Sequence, residues 1–149
     1  MELAQLKVKL LGETRVPRMV NRLLFPNERI AFALQGIRDI VIFTEFRILY
    51  MDYRQVTGKS VEYATYMYKD VISYSIVTPG YGLDCDSEIV LRFIDREVVQ
   101  FTIDKGHNLD RFLFLAYDLI SAAKNNHELQ KGVFGSSPSV REHNEQFFE

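Results

Sequence analysis

The sequence predicts a mainly β fold: a partly open seven-stranded antiparallel barrel capped by a C-terminal α-helix, with a short N-terminal helical lead-in. Three observations carry that prediction. Between Glu28 and Ile103 the chain breaks into short runs rich in Ile, Val, Phe, Tyr and Thr, separated by Gly, Pro, Asn or charged pairs at antiparallel-sheet spacing. From Leu109 to about Asn125 the apolar residues instead recur at helical period. A chain of 149 residues with 47% apolar content can bury one good core and is too short for two ordinary domains.

Residues 1–27 read as the lead-in, because Leu3, Leu6 and Leu10 recur at helical spacing and Pro17 suits the first turn of a helix over Arg18 to Phe25. Pro26 stops it. The expected strands follow at Glu28 to Gln35, Ile37 to Thr44, Arg47 to Asp52, Ser60 to Tyr66, Ile72 to Thr78, Asp86 to Ile94 and Glu97 to Ile103. Gly36, Gly58 and Pro79-Gly80 punctuate them. Alternation is clearest late, where Ile89, Leu91 and Phe93 share one face and Val99, Phe101 and Ile103 another.

Asn108 is placed to cap a helix whose stripe is Leu109, Phe112, Leu113, Ala116, Leu119, Ile120 and Ala123. Such a helix must bury that stripe on a sheet, and a barrel with an open end supplies one. Phe114, Leu115 and Tyr117 fall partly off the stripe, which fits either a second contact or burial under the lead-in. Residues 28–125 are therefore expected to form the domain, and residues 126–149, polar until Phe147-Phe148, a tail.

Charge and rare residues narrow the function. Eighteen basic and twenty acidic residues leave a formal −2, so no bulk field draws the chain to nucleic acid or to an anionic membrane. Cys85 is the only cysteine, and His107, His127 and His143 have no zinc-ligand spacing. With no signal-peptide pattern and no membrane-length apolar run, a cytoplasmic location is expected.

Motifs for chemistry are weak. Thr57-Gly58-Lys59-Ser60 resembles the end of a phosphate-binding loop, but Tyr53 stands where the leading glycine belongs and no helix follows, so a hairpin turn is the favoured reading. Asp84, Asp86 and Glu88 alternate, which would put three carboxylates on one strand face; solvated or ion-paired acids are favoured over a Ca²⁺ or Mg²⁺ site. No nucleophile, base and orienting group announce themselves, so neither enzyme activity nor a cofactor is expected. Arg38 and Asp39 enter an apolar strand and must be paired, with Arg47 and Asp52 as candidate partners in a structural charge group.

The stretch from Gly36 through Arg38-Asp39 to Phe43-Thr44, then Arg47-Ile48 and Asp52, resembles the opening signature of the bacterial pleckstrin-homology-like (PH-like) family. The resemblance runs on through residues 57–63, 68–72, Gly80 and Asp84, Asp86 and Glu88, covering about Leu23 to Ile120. Met67 and residues 77–79 depart from the family's pattern, and no surface role is carried over there. The resemblance implies a PH-like barrel without enzymatic activity, in a family prone to symmetric assembly.

Lipid binding by eukaryotic relatives needs several cations on the loop between the first two strands, and here Gln35-Gly36-Ile37-Arg38 offers one; Lys59, Lys69 and Arg54 add at most a weak patch. The dense tyrosines, together with the strand edges of an unclosed barrel, favour an interaction module. The expected function is self-association into a homo-oligomer, with protein or peptide partners added by strand-edge pairing. Tyr53, Tyr63, Tyr66, Phe114 and Tyr117 are the candidate interface. A peripheral membrane-surface adaptor is the alternative.

Overall fold

A computed structural model describes residues 6–52, 60–78, 86–104 and 109–125. Its strands are β1 (Leu6–Leu10), β2 (Gly12–Glu13), β3 (Ile30–Gln35), β4 (Asp39–Thr44), β5 (Arg47–Asp52), β6 (Glu62–Met67), β7 (Val71–Val77), β8 (Ser87–Phe93) and β9 (Val98–Ile103), followed by helix α1 (Asp110–Asn125). They form two sheets, of order β1-β9-β8-β7 and β2-β3-β4-β5-β6. All seven expected strands are present, as β3 to β9, within about two residues of their expected ends.

The lead-in is where the structure corrects the sequence reading. Leu6 to Leu10 is a strand running parallel to β9, with Val8 opposite Phe101, and not a helix. A spacing of i, i+4 belongs to both periods, but Leu6-Lys7-Val8-Lys9-Leu10 also alternates, and the parallel pairing buries Val8 and Leu10 while the lysines face water. Past Leu11 the same extended segment becomes β2, so one run of chain closes a corner by giving an edge strand to each sheet. Pro17 opens only a short 3₁₀ helix, Arg18–Leu23.

The middle of the five-stranded sheet, β3 to β5, is buried on both faces. Phe32, Leu34, Val41, Phe43, Ile48 and Tyr50 point into the main core, while Ile30, Ala33, Ile40, Ile42, Leu49 and Met51 point the other way, under Val16 and Val20. This second cover explains why β4 and β5 read as nearly unbroken apolar runs. The lead-in thus packs on its own barrel.

α1 buries Phe112, Leu113, Ala116, Leu119 and Ile120, and Phe112 reaches Phe32 at 5.0 Å between ring centroids. Ser87 donates to Asp110 Oδ1 at 2.9 Å, tying β8 to the first helical turn. The expected cap, Asn108, lies outside the described residues. No described helix is long and apolar enough to cross a membrane.

Arg96, in the β8–β9 turn, sits at φ 72°, a left-handed conformation in a turn closed by Phe93 N–H to Glu97 O (2.9 Å) and Arg96 N–H to Phe93 O (3.0 Å). An L side chain is disfavoured there and glycine is not. Arg96→Gly is expected to raise folding stability by about 1 kcal/mol, read as a higher melting temperature.

Candidate interaction surface

One end of the barrel is a buried polar network. Phe25-Pro26-Asn27-Glu28 is a turn closed by Glu28 N–H to Phe25 O at 3.0 Å, with Asn27 at φ 65°, which asparagine tolerates. The turn aims the Glu28 carboxylate inward. There it accepts Arg47 Nη2 at 2.8 Å, Arg47 Nε at 3.0 Å and Thr44 Oγ1 at 2.6 Å. Arg47 Nη2 also donates to the Leu23 carbonyl, its guanidinium lies 4.0 Å from the centre of the Phe25 ring, and the buried Tyr68 hydroxyl donates to Thr44 O at 2.8 Å. Burial pushes the Glu28 carboxyl up, but the hydrogen bonds from Arg47, Thr44 and Phe25 and the guanidinium charge outweigh it and hold the group below its ordinary value.

The expected charge group is therefore rearranged. Arg47 pairs with Glu28, not with Asp39 or Asp52, because Arg47 and Asp39 stand at opposite ends of the β4–β5 hairpin. Asp39 lies opposite Asp52 in register and accepts the Tyr50 hydroxyl at 2.8 Å, while Arg38 is exposed in the β3–β4 turn. Glu28, expected only as the start of a strand, is the residue missed; its one sequence signal is an acid directly after Pro-Asn.

The β3–β4 turn stands between two shallow depressions, of about 380 Å³ beside Thr14 and Gln35 and about 210 Å³ beside Lys7 and Lys9. Ile37 is 78% exposed between them, and Lys9 pairs with Asp104 at 3.0 Å. Gly36 permits the turn: a Cβ there would overlap Asp39 Oδ1 and stand 3.0 Å from the Lys9 carbonyl oxygen. Gly36→Ala is expected to displace Asp39 from Tyr50 and cost about 1–3 kcal/mol, measured as a lower urea midpoint.

The second corner of the barrel is open. β6 and β7 are the outer strands of the two sheets, joined through the 3₁₀ turn Tyr68–Asp70, and no described strand pairs with the free side of either. Tyr63 and Tyr66 point to opposite faces of β6: Tyr63 packs with the smaller core, and Tyr66 turns inward to meet Phe93 at 5.5 Å. Burial, then the charges of Glu97, Glu62 and Asp95, push the Tyr66 hydroxyl up, keeping it a neutral donor.

Beside β7 runs α1. Tyr74 of β7 meets Tyr117 edge-on at 5.0 Å and shares a 2.6 Å hydrogen bond with Ser121. Phe114, three residues before Tyr117 and on the same helix side, is 54% exposed, and Tyr117 is 43% exposed. Ile72 and Val77 of β7 are exposed as well. The structure thus brings Phe114 and Tyr117 together beside a strand edge, and places Tyr63 and Tyr66 on the other sheet. Tyr53 lies outside the described residues.

On the expected acidic face, Glu88 accepts Gln100 Nε2 at 2.9 Å and Asp86 is exposed; Asp84 lies outside the described residues, as do Thr57, Gly58 and Lys59 of the phosphate-loop-like segment. Among the described residues no three His, Cys, Asp or Glu side chains cluster as a metal site would require.

Comparison with known proteins agrees with this architecture. A DUF1696 family protein with a pleckstrin-homology domain from Shewanella loihica PV-4 is 25% identical, with a TM-score of 0.61 over 76% of this chain and 96% of that one. A pleckstrin homology domain from Shewanella amazonensis SB2B is 26% identical, with a TM-score of 0.51 over 66% and 79%. The uncharacterized protein YjqA of Bacillus subtilis (strain 168) is 30% identical over 79 residues, 53% of this chain and 62% of its own length. The model of the bacterial PH domain matches residues 5–119, strand β1 included, and the chain belongs to that family.

Proposed function

We propose that this chain is a non-catalytic interaction module that self-associates into a homo-oligomer in the cytoplasm, and that its open corner takes a strand from a second copy or from an extended peptide. The family is generally non-catalytic, and a PH-like domain suggests an interaction module. The observation that carries the finer reading is the edge of β7, which no described strand pairs, beside the exposed Phe114 and Tyr117. An unpaired edge offers a row of N–H and C=O groups, and an aromatic strip alongside it gives a paired strand something apolar to cover.

The test is the double variant Phe114→Glu, Tyr117→Glu. Both side chains are largely exposed, so the fold should survive while two carboxylates oppose any neighbour at that edge. The expected outcome is a fall in solution mass toward 17.4 kDa with the circular dichroism spectrum of the folded chain retained. An unchanged assembly would move the interface elsewhere.

The membrane-surface reading is supported by one feature, the exposed Ile37 beside Arg38 and Lys7. Salt-sensitive binding to phosphatidylglycerol vesicles, lost in Ile37→Glu, would favour it.

A further inference from the structure

We propose that residues 142–149 of this chain dock, within the same molecule, on the arginine and aromatic patch around Phe25 and Phe46. The inference is separate from self-association, since it concerns a different surface and a different readout.

The patch joins two surface segments at the polar-network end of the barrel, next to the 3₁₀ helix Arg18–Leu23. Phe25 and Phe46, from the turn before β3 and the turn between β4 and β5, are 45% and 42% exposed, with ring centroids 6.3 Å apart. Arg47 lies beneath Phe25, so that ring has a cation on its inner side and water on its outer side. Met19, also 45% exposed, shares a face of the 3₁₀ helix with Arg22, because residues three apart are eclipsed there. Arg22 is exposed on that helix, and at the patch's other border Arg29 is paired with Glu45, the neighbour of Phe46, at 3.2 Å. The patch is apolar at its centre, with the Arg22 guanidinium on the adjoining helix.

Its complement is on the same chain. Residues 142–149 read Glu-His-Asn-Glu-Gln-Phe-Phe-Glu, with three acids, two adjacent phenylalanines and no lysine or arginine. Aromatic residues for Phe25, Phe46 and Met19, with a carboxylate for the Arg22 guanidinium, are what the patch would recognise.

The departure point of the tail is also right. Near the end of α1, Lys124 Nζ donates to Lys69 O at 2.9 Å, and Lys69 adjoins Tyr68, whose N–H donates to Phe46 O at 3.0 Å. The helix therefore ends at the side of the molecule that carries Phe46. The 16 residues from 126 to 141 reach up to about 50 Å when fully extended. A tether that spans its site holds the segment at an effective concentration on the order of mM, so even a weak pairing is occupied.

The chain has no tryptophan, so Phe148→Trp places a single reporter in the otherwise intact protein. The expected result is blue-shifted emission protected from acrylamide, unchanged on dilution. Adding Phe46→Ser, or separately Arg22→Glu, should return emission and quenching to those of an unfolded control; both residues are exposed, and circular dichroism checks the fold. Solvent-like emission in the parent overturns the proposal. So does a blue shift that survives both substitutions, which would seat the segment elsewhere, or one lost on dilution, which would mean a second copy's tail. Solvent-like emission that shifts only with anionic vesicles would assign the surface to a membrane instead, and also overturns it.

Discussion

Arg47→Met is expected to lower folding stability by about 3–5 kcal/mol, because it leaves the Glu28 carboxylate buried without its counter-charge. Glu28 and Arg47 are each 6% exposed, so water cannot take over the lost bonds. Urea unfolding measures the loss. Pairing the change with Glu28→Leu should recover part of it, since two apolar groups cost less than one orphaned charge. The same network sets an acid limit. Glu28 titrates below its ordinary value in the folded state, so its contribution is fully present above about pH 4.5 and is lost as pH falls through the lower folded value. In Arg47→Met that part of the acid dependence should shrink.

Tyr68→Ala is expected to cost a similar amount, about 3–5 kcal/mol, from the cavity left by a large, fully buried side chain in the turn between the open edges. Tyr68→Phe should cost only about 1 kcal/mol, the net worth of the hydroxyl's bond to Thr44 O. The difference between the two, read from urea midpoints, separates packing from hydrogen bonding at this site. If both variants cost the same, the hydroxyl rather than the ring would be what anchors the turn.

Much of this fold is legible in the sequence because the sheet alternates where one face meets water. Ile89, Leu91 and Phe93 on β8, and Val99, Phe101 and Ile103 on β9, point inward as their spacing requires. β1 is not legible from the sequence because five residues satisfy two periods, and only the partner strand, over ninety residues away, decides between them. The Arg47 partner was illegible for a related reason. Glu28 lies 19 residues earlier, and the Pro26-Asn27 turn that aims it inward leaves no periodic trace.

The signature from Phe43-Thr44 to Arg47 is explained by the same geometry. Thr44 Oγ1 accepts Phe46 N–H and Arg47 N–H, each at 3.1 Å, and donates to Glu28, so these residues shape a turn and seal a barrel end. The candidate surface was legible only on α1, where Phe114 and Tyr117 fall off the buried stripe. On β6 the tyrosines alternate between two cores, and neither presents a shared outer face.

The most direct test of the self-association account is the mass of the purified full chain by light scattering after size exclusion, across a dilution series. Self-association requires one species at a fixed multiple of 17.4 kDa, stable on dilution. A 17.4 kDa monomer at every concentration would contradict it.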